Sequence, residues 1–341
     1  MKNKTLEFMD LLENFFTEYM PYSKGLSQNT IRSYKYSFRL LIEYLFDKKN
    51  ISANDIRFKL LDFDTINSFL LWLETERKSS VTTRNLRLTA LSSFGEYTQN
   101  RNIDAATVFM NAVKRVPVKT PLRKSRTVFT RDEVSALINM PDSKTKIGMR
   151  NKMLLNLMYA SGARAQETCD LVVRNVQFQD DNAKLTITGK GGKTRRIIIA
   201  RPCAQLLKEY LIRFGIVTDL NRHIFSSQTN EHMSISCIEE IFRKYLGLAK
   251  KQYPTLFREY SYSPHTMRHS TATHMLEAGV PIMVIKNFLG HSSITTTERY
   301  AELSQGSINR HIIEWNQRWF PTAESKRSSE LLENGLPDFL T

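Results

Sequence analysis

The sequence predicts a mostly α-helical protein of two domains, with a small antiparallel β-sheet in the second domain. Three observations lead to this fold class. Apolar residues recur at helical spacing through most of residues 5–113. Three short stretches, 171–178, 183–188 and 194–200, have the residue types of strands. Between these regions, residues 114–126 contain two prolines and six basic residues but no acidic residue, which is typical of an extended linker.

Residues 1–113 are predicted to fold as an all-helical domain. Gly25 interrupts the first apolar stripe, and Ser27 has the residue type of an N-cap for a long second helix that reaches Tyr44. Asp104 is predicted to cap a short last helix. The expected helices lie at about 5–20, 28–44, 65–76, 81–98 and 104–113.

Residues 128–320 are predicted to form the second domain. Thr130 and Glu133 have the spacing of a capping box, which opens a helix. Gly189 to Gly192 are predicted to form the hairpin turn between the second and third strands, and Ile197 to Ile199 a buried run. Further helices are expected at about 130–138, 147–159, 202–214, 235–252, 263–279 and 281–289, followed by one that carries Tyr300.

The chain has a strong excess of positive charge, with 49 Lys and Arg residues against 34 Asp and Glu residues and a formal net charge of +15. This excess favours binding to nucleic acid first and to an anionic membrane second, with a merely basic protein as the alternative. No apolar run approaches the roughly 18 residues of a membrane span, so no membrane partner is predicted. Three widely spaced cysteines suit a reducing compartment. We therefore expect a cytoplasmic, nucleoid-associated protein.

The stretch 263–300 concentrates residue types that act in phosphoryl transfer. It contains a His-x-x-Arg sequence, a Leu-Gly-His sequence whose histidine stands 23 positions after that arginine, and a tyrosine 9 positions further on. An arginine in Ser-Gly-Ala-Arg and a lysine in Gly-Lys-Gly-Gly-Lys, both earlier in the chain, can complete one active site. The six candidate catalytic residues are Arg164, Lys190, His265, Arg268, His291 and Tyr300.

This ordered set resembles the active site of the tyrosine recombinases, the phage-integrase family that includes the Xer-like site-specific recombinases. The family pattern has an arginine after Thr-Gly-Leu, a hairpin lysine in Gly-Lys-Gly, a His-x-x-Arg helix, a Leu-Gly-His turn and then the tyrosine. Ser161 and Ala163 replace the threonine and the leucine in this chain. The resemblance covers about residues 25–315 and is strongest from 155 to 302. It implies a site-specific recombinase that cleaves and rejoins DNA through a Holliday junction.

The resemblance assigns the covalent chemistry and the charge neutralisation to four residues. Tyr300 is expected to attack the phosphorus and form a covalent 3′-phosphotyrosine intermediate. Arg164 and Arg268 are expected to bind the non-bridging oxygens, because a guanidinium group matches phosphate geometry. Glu167 is expected to orient Arg164. Two arginines can neutralise the charge that metal ions neutralise in other enzymes, so we expect neither a metal ion nor another cofactor.

Proton transfer and hydrogen bonding are assigned by the same resemblance. Lys190 is expected to protonate the leaving 5′ oxygen, with Lys193, three residues later, as a rival. His291 is expected to hydrogen-bond the phosphate, and His265 to assist proton transfer. His265 and His269 have the spacing of a metal pair, but no acidic residue lies between them and no cysteine is near, so no metal site is predicted.

The resemblance also implies a clamp of two domains around double-stranded DNA. The segment that starts at Ser27 resembles the start of the SAM-like core-binding domain. Residues 114–127 are predicted to be the linker that crosses the DNA backbone, because a simple tether would explain the prolines but not the uniform charge. We expect a tetramer on paired DNA sites, with a monomer or dimer at each site. The residues predicted to contact DNA are Arg84, Arg87, Lys119, Arg123, Lys124, Arg126 and Lys193.

Two other functions stay open at this point. A type IB topoisomerase-like enzyme would use the same chemistry to relax a single duplex. A DNA-binding protein could keep the fold without catalysis, although the complete set of six residues argues against it. Integration, excision, transposition and dimer resolution are not distinguished by these residues.

Residues 321–341 are predicted to be a C-terminal tail. Five large apolar residues follow a polar spacer in this segment, a pattern that suits docking either on the same catalytic domain or on a neighbouring subunit. A frayed terminus is the alternative.

Replacement of each hairpin lysine tests which of them protonates the leaving group. A 5′-bridging phosphorothiolate substrate has a sulfur leaving group that departs without a proton, so it is expected to restore cleavage to Lys190→Ala. The measurement is the rate of covalent adduct formation, with Lys193→Ala as the matched control. Rescue confined to Lys193→Ala would move the role to Lys193.

Overall fold

The computed structural model describes residues 8–101, 103–121, 127–259 and 261–290, without the side chains of 103–105 and 190. The chain divides into two compact units, Met1–Lys124 and Ser125–Thr341. In the part of the chain that the structure describes, no helix is both long and apolar enough to cross a membrane.

The first unit is helical, and polar side chains start two of its main helices, of which the sequence predicts the Ser27 cap. The Ser27 hydroxyl accepts from the Thr30 amide at 3.4 Å, and the Ser80 hydroxyl accepts from the Thr83 amide at 3.2 Å. The last helix already includes Asp104, so Asp104 is not its cap. The helices are α1 (Phe8–Asn14), a π-helical turn (Phe15–Ser23), α2 (Gln28–Lys49), α3 (Phe63–Thr75), α4 (Val81–Gln99) and α5 (Ile103–Arg115).

An aromatic cluster around Phe94 of α4 forms the centre of this first core. The Phe94 side chain is fully buried, and six other aromatic ring centroids lie 5.1–6.3 Å from its own. Such edge-to-face and offset contacts add to the stabilisation that burial of the rings provides. The six rings belong to Phe8, Phe15, Phe38, Phe58, Tyr97 and Phe109.

Two arginines that the sequence predicted to face DNA are instead interior residues of this unit. The Arg84 side chain is 2 % exposed, and its Nη1 donates to the Pro117 carbonyl at 2.7 Å. Arg87 is 9 % exposed, and its Nη1 donates to the Ser33 carbonyl at 3.0 Å and to the Ser37 hydroxyl at 3.1 Å. Buried guanidinium groups need acceptors, and these two donate to backbone, side-chain amide and hydroxyl oxygens. Phosphate contact by Arg84 and Arg87 does not fit this arrangement.

The start of the predicted linker is packed on the first unit. Helix α5 extends to Arg115, and Val116 is 3 % exposed. Asn85 accepts from the Lys119 amide at 3.2 Å and donates to the Lys119 carbonyl at 2.7 Å. The Lys119 ammonium pairs with Glu74 at 2.7 Å, although the side chain is still 47 % exposed. Because these groups hold the backbone, residues 116–119 are not an unpacked tether.

Within the residues that the structure describes, the second unit combines seven α-helices with one three-stranded antiparallel sheet in the order β1-β2-β3. The expected capping box is present: Thr130 and Glu133 exchange hydrogen bonds of 2.9 and 3.1 Å. The elements are α6 (Arg131–Asn139), α7 (Lys146–Ser161), α8 (Ala165–Cys169), β1 (Val176–Gln179), β2 (Asn182–Thr188), β3 (Thr194–Ile199), α9 (Arg201–Arg213), α10 (Ile235–Gln252), α11 (Pro264–Glu277) and α12 (Ile282–Leu289).

The first strand is shorter than the sequence predicts. Strand β1 begins at Val176, because the amides of Val173 and Arg174 donate to the carbonyls of Arg222 and Leu220 instead of to a neighbouring strand. These two amides bond to the loop around residues 220–222, and Val173–Asn175 forms a 3₁₀ turn. The predicted strand 171–178 is therefore wrong for its first half.

The other two strands alternate between the core and the solvent. Leu185 of β2 lies opposite Ile197 of β3, and both are buried. Ile199 is also buried, but Ile198 is 65 % exposed. The expected buried run over Ile197 to Ile199 is thus an alternating strand, since successive side chains point to opposite faces of a sheet.

Replacement of Arg84 tests whether this arginine stabilises the first unit. Arg84→Ala leaves the Pro117 carbonyl without its donor and opens a cavity, so we expect a loss of about 2–3 kcal/mol in the free energy of unfolding. The matched control is Arg32→Ala on α2, where the side chain is exposed and the loss should stay within about 0.5 kcal/mol. Urea denaturation measures both. An Arg84→Ala protein of unchanged stability that binds DNA with a shallower salt dependence would contradict this assignment.

Candidate active site

Arg164 lies in the tight turn between α7 and α8. Helix α7 ends at Gly162, whose φ of +57° is in the left-handed region that glycine adopts readily. The Ser161 hydroxyl accepts from the Ala163 amide at 3.2 Å and so closes the turn. The Arg164 amide, at the start of α8, donates to a carboxylate oxygen of Glu167 at 2.9 Å. The arginine is therefore held from its backbone as well as from its side chain, which is 36 % exposed.

The Glu167 carboxylate is the meeting point of three arginines. Its Oε1 accepts from Arg164 Nη1 at 2.7 Å and from Arg195 Nη1 at 3.1 Å. Its Oε2 accepts from Arg195 Nη2 at 2.8 Å, and Arg268 Nη1 lies 3.9 Å away. The expectation that Glu167 holds Arg164 fits this contact, but the carboxylate also pairs with two arginines whose side chains start on other elements.

Glu167 stays ionised although its side chain is only 4 % exposed. Burial on its own raises the pKa of the Glu167 carboxyl. The hydrogen bonds and charges of Arg195 and Arg164 outweigh this effect and lower the pKa to about 2. A charge-assisted, bidentate pair such as Arg195 with Glu167 is among the strongest contacts available to a buried carboxylate.

Arg268 connects the ends of two helices from its place on α11. Its Nη1 donates to the Gly162 carbonyl at the end of α7, and its Nη2 donates to the Leu289 carbonyl at the end of α12, both at 2.6 Å. Pro264 is the first residue of α11 and Ser263 its N-cap, close to the start that the sequence predicts for this helix. The Arg268 side chain is 2 % exposed, so this guanidinium group is held firmly in the protein interior.

Two further candidate groups, His265 and the hairpin lysines, are close in sequence to Arg268 and Arg195. His265 is exposed, one turn before Arg268, and its ring centroid lies 5.9 Å from that of His269. The predicted hairpin turn is present: the Gly189 amide donates to the carbonyl of Lys193 at 2.8 Å. Lys193 itself is exposed. The turn puts the backbone of residue 190 at the tip of the β2–β3 hairpin.

Several predicted residues lie outside the described part of the chain. Helix α12 is capped by Gly290, with a φ of +68°, and Gly290 directly precedes His291 in the sequence. The structure therefore brings together the two arginines and the acid of the prediction and leaves the others as expectations. The residues not described are Arg123, Lys124, Arg126, His291 and Tyr300, together with the tail 321–341.

Arg195 is the member of the cluster that the sequence reasoning missed. It lies on β3 in phase with Ile197 and Ile199, both of which are buried. An arginine in the inward phase of a strand requires a partner of opposite charge in the core. The alternation of β3 was therefore a signal that pointed to a buried carboxylate near this strand.

Comparison with known proteins places this geometry in a family. Residues 127–306 match the model of the phage integrase family, and residues 11–105 match that of the phage integrase N-terminal SAM-like domain. The chain belongs to the phage integrase family. It is a tyrosine-type site-specific DNA recombinase, with a SAM-like first unit and a catalytic second unit.

Curated relatives and solved structures of this family align with most of the chain. A putative integrase/recombinase, y4rC, from Sinorhizobium fredii is 31% identical over 297 residues, which cover 86% of this chain and 86% of the relative. The tyrosine recombinase XerD of Haemophilus influenzae is 28% identical over 90% of this chain and 97% of its own length. The XerH recombinase in its post-cleavage complex with difH DNA has the same fold, with a TM-score of 0.68, 19% identity, and coverage of 86% of this chain and 82% of XerH.

Neutralising Glu167 tests how much the recombinase depends on this carboxylate. Glu167→Gln keeps the shape but leaves buried guanidinium charge uncompensated, so we expect a loss of about 3–5 kcal/mol in the free energy of unfolding. Glu239→Gln, at an exposed position of α10, is the matched control and should be neutral. Denaturation of the purified variants measures both effects.

The same carboxylate should make stability depend on pH. The folded-state pKa of Glu167 lies near 2, below its ordinary value of 4.5, so its contribution is complete above pH 4.5 and is lost as the pH falls towards 2. The difference in stability between wild type and Glu167→Gln should therefore shrink over that interval. A difference that stays constant from pH 6 down to roughly pH 3 would contradict the pairing.

Proposed function

We propose that this recombinase cleaves DNA by attack of Tyr300 on the scissile phosphate, which leaves a covalent 3′-phosphotyrosine bond and a 5′ hydroxyl. The observation that carries the proposal is the cluster of Arg164, Arg195 and Arg268 around Glu167. A transferring phosphoryl group develops negative charge on its non-bridging oxygens, and preorganised cations stabilise that charge without having to reorganise. The cluster supplies such cations on rigid elements.

The two predicted phosphate-binding arginines have different parts in this proposal. Arg164 is partly exposed and uses one terminal nitrogen on Glu167, which leaves the rest of its guanidinium group to bind a non-bridging oxygen. Arg268 is almost fully buried and donates to the Gly162 and Leu289 carbonyls. Arg268 is therefore proposed to supply its positive charge from a fixed position beside the phosphate site.

The leaving group is protonated by a lysine of the β2–β3 hairpin in this mechanism. Lys190 is at the tip of the turn, and Gly191 and Gly192 have φ values of +75° and +72°. Glycine adopts this conformation at little cost, so the two glycines permit a tight loop that can carry a lysine to a substrate oxygen. Lys193 remains the rival, three residues further along. His265 and His291 are proposed to assist proton transfer and to hydrogen-bond the phosphate.

Strand exchange between two duplexes is the proposed outcome. In this reading four protomers bind paired sites, cut one strand of each duplex, and exchange the strands through a Holliday junction before the second pair is cut. The names of the aligned relatives, an integrase/recombinase and the recombinases XerC and XerD, support exchange over relaxation. Movement of a mobile element is one such reaction, and a Tn1549 transposon integrase shares the fold at a TM-score of 0.64 and 15% identity.

Non-specific DNA affinity is proposed to come from basic residues outside the arginine cluster. Lys119 and Lys193 are exposed, and the segment from Arg123 to Arg126 carries three further cations. Each phosphate contact that such residues make should steepen the salt dependence of binding. Arg84 and Arg87, which are buried, are not part of the proposed set.

Loss of one oxygen atom tests the nucleophile. Tyr300→Phe is expected to bind a target duplex as wild type does but to form no covalent adduct, because only the attacking oxygen is removed. The measurement is adduct formation on a nicked suicide substrate, resolved on a denaturing gel. A protein–DNA adduct that persists in Tyr300→Phe would contradict the assignment.

A joining assay with two duplexes of different length separates recombination from relaxation. Site-specific recombination produces strands that contain sequence from both duplexes, whereas a topoisomerase-like enzyme reseals each duplex to itself. Relaxation of a supercoiled plasmid without any hybrid product would favour the topoisomerase-like alternative. Binding without either reaction would favour the non-catalytic one.

A further inference from the structure

Arg195 is built into the catalytic unit at three points. Its Nη1 and Nη2 form a bidentate pair with the Glu167 carboxylate at 3.1 and 2.8 Å, and its Nε donates to the Phe288 carbonyl at 2.8 Å. The side chain is 10 % exposed. One residue of β3 therefore joins α8 to the C-terminal end of α12.

Two glycines pack directly against this pair. A Cβ atom on Gly290 would lie 3.0 Å from Arg195 Cδ and 3.2 Å from Arg195 Nη1. A Cβ atom on Gly189 would lie 3.0 Å from Glu167 Oε1. Gly189 directly precedes Lys190 and Gly290 directly precedes His291 in the sequence, so the backbone at both positions is in close contact with the Arg195–Glu167 pair.

Two arginines donate hydrogen bonds to adjacent carbonyl groups at the end of α12. Arg195 donates to Phe288 and Arg268 donates to Leu289. The last carbonyls of a helix lack partners within the helix and carry a partial negative charge, so guanidinium groups bind well there. Arg195 and Arg268 thereby share both the carboxylate of Glu167 and this helix end.

We propose that Arg195 is a positioning residue of the strand-cleavage reaction, which acts through Glu167 and the Phe288 carbonyl to fix Arg164 and Arg268 relative to the end of α12. This inference rests on the proposed function, in which Arg164 and Arg268 neutralise the scissile phosphate. Without Arg195, Glu167 has two unused acceptor sites, and Arg268 Nη1 is only 3.9 Å from it. The carboxylate is then expected to draw the other arginines towards itself and out of the phosphate site.

Arg195→Lys is the informative variant, since it keeps the positive charge at the site. A single ammonium group cannot form the bidentate pair and also reach the Phe288 carbonyl from the same position. We expect cleavage to fall by about 100-fold, because small displacements of catalytic groups cost about that factor. The measurement is single-turnover adduct formation, with DNA affinity and melting temperature followed in parallel. Affinity should change less than about threefold, since Arg195 itself does not contact DNA in this proposal.

Arg196→Lys and Arg196→Ala are the matched controls. Arg196 is the next residue of β3, carries the same charge and is exposed on the opposite face of the strand. These variants should cleave at the wild-type rate. A loss in Arg196→Lys as large as that in Arg195→Lys would overturn the proposal, because the effect would then not depend on the contacts of Arg195.

Substrate chemistry identifies the group through which Arg195 acts. A methylphosphonate at the scissile position removes one negative charge, so it reduces the need for well-placed arginines. The ratio of wild-type to Arg195→Lys rates should therefore be smaller on this substrate than on ordinary DNA. A 5′-bridging phosphorothiolate should leave the ratio unchanged. Rescue by the phosphorothiolate instead would assign the effect to the hairpin lysine and overturn the proposal.

The remaining outcomes also separate this inference from the function on which it rests. Wild-type protein that forms no adduct on a suicide substrate would contradict the proposed function. If wild type cleaves and folded Arg195→Lys cleaves equally fast, only the role of Arg195 is wrong. Loss of the folded state in Arg195→Lys at the assay temperature would likewise contradict the proposal, because Arg195 would then be a residue of stability alone.

Discussion

The arrangement of the arginines in the catalytic unit depends on one buried carboxylate, that of Glu167. Moving a charged group out of water costs several kcal/mol unless it finds a partner of opposite charge with good geometry. Three guanidinium groups, those of Arg164, Arg195 and Arg268, converge on this part of the interior. The single carboxylate offsets part of their repulsion, and its pKa is low because Arg195 and Arg164 donate hydrogen bonds to it and Arg195 adds its charge. The concentration of positive charge at this site therefore depends on a buried acid.

Helix ends supply the other acceptors of the site. Helices α7 and α12 both finish at a glycine in the left-handed conformation, Gly162 and Gly290. The last carbonyls of a helix lack partners within the helix. Arg268 donates to one such carbonyl at each helix end, those of Gly162 and Leu289. Arg268 thus satisfies carbonyls at the ends of both helices, and those carbonyls in turn orient its guanidinium group. This mutual dependence fixes the directions of the guanidinium groups before any DNA is present, which is what electrostatic preorganisation requires.

The two units use arginine in contrasting ways, although the overall positive charge suggests one role for all of them. In the first unit, Arg84 and Arg87 donate to backbone, amide and hydroxyl oxygens, and none of their hydrogen-bond partners among the described residues is a carboxylate. They connect α4 to the chain that follows α5 and to α2. In the second unit, Arg195 and Arg268 lie in the interior beside the Glu167 carboxylate, which also pairs with the partly exposed Arg164. Net charge therefore predicted the kind of ligand but not which cations face it.

The sequence by itself determined most of the helices, the sheet and the family. Caps act locally, so Ser27 and the Thr130–Glu133 box could be assigned from their neighbours alone. The order and spacing of the candidate catalytic residues were enough to indicate the family. The tertiary structure alone decided which distant groups meet: Arg195 is separated by 28 residues from Glu167 and by 93 from Phe288. It also decided that Arg84 points inward and that β1 starts late. These outcomes depend on acceptors brought close by folding, and no local pattern of residues contains that information.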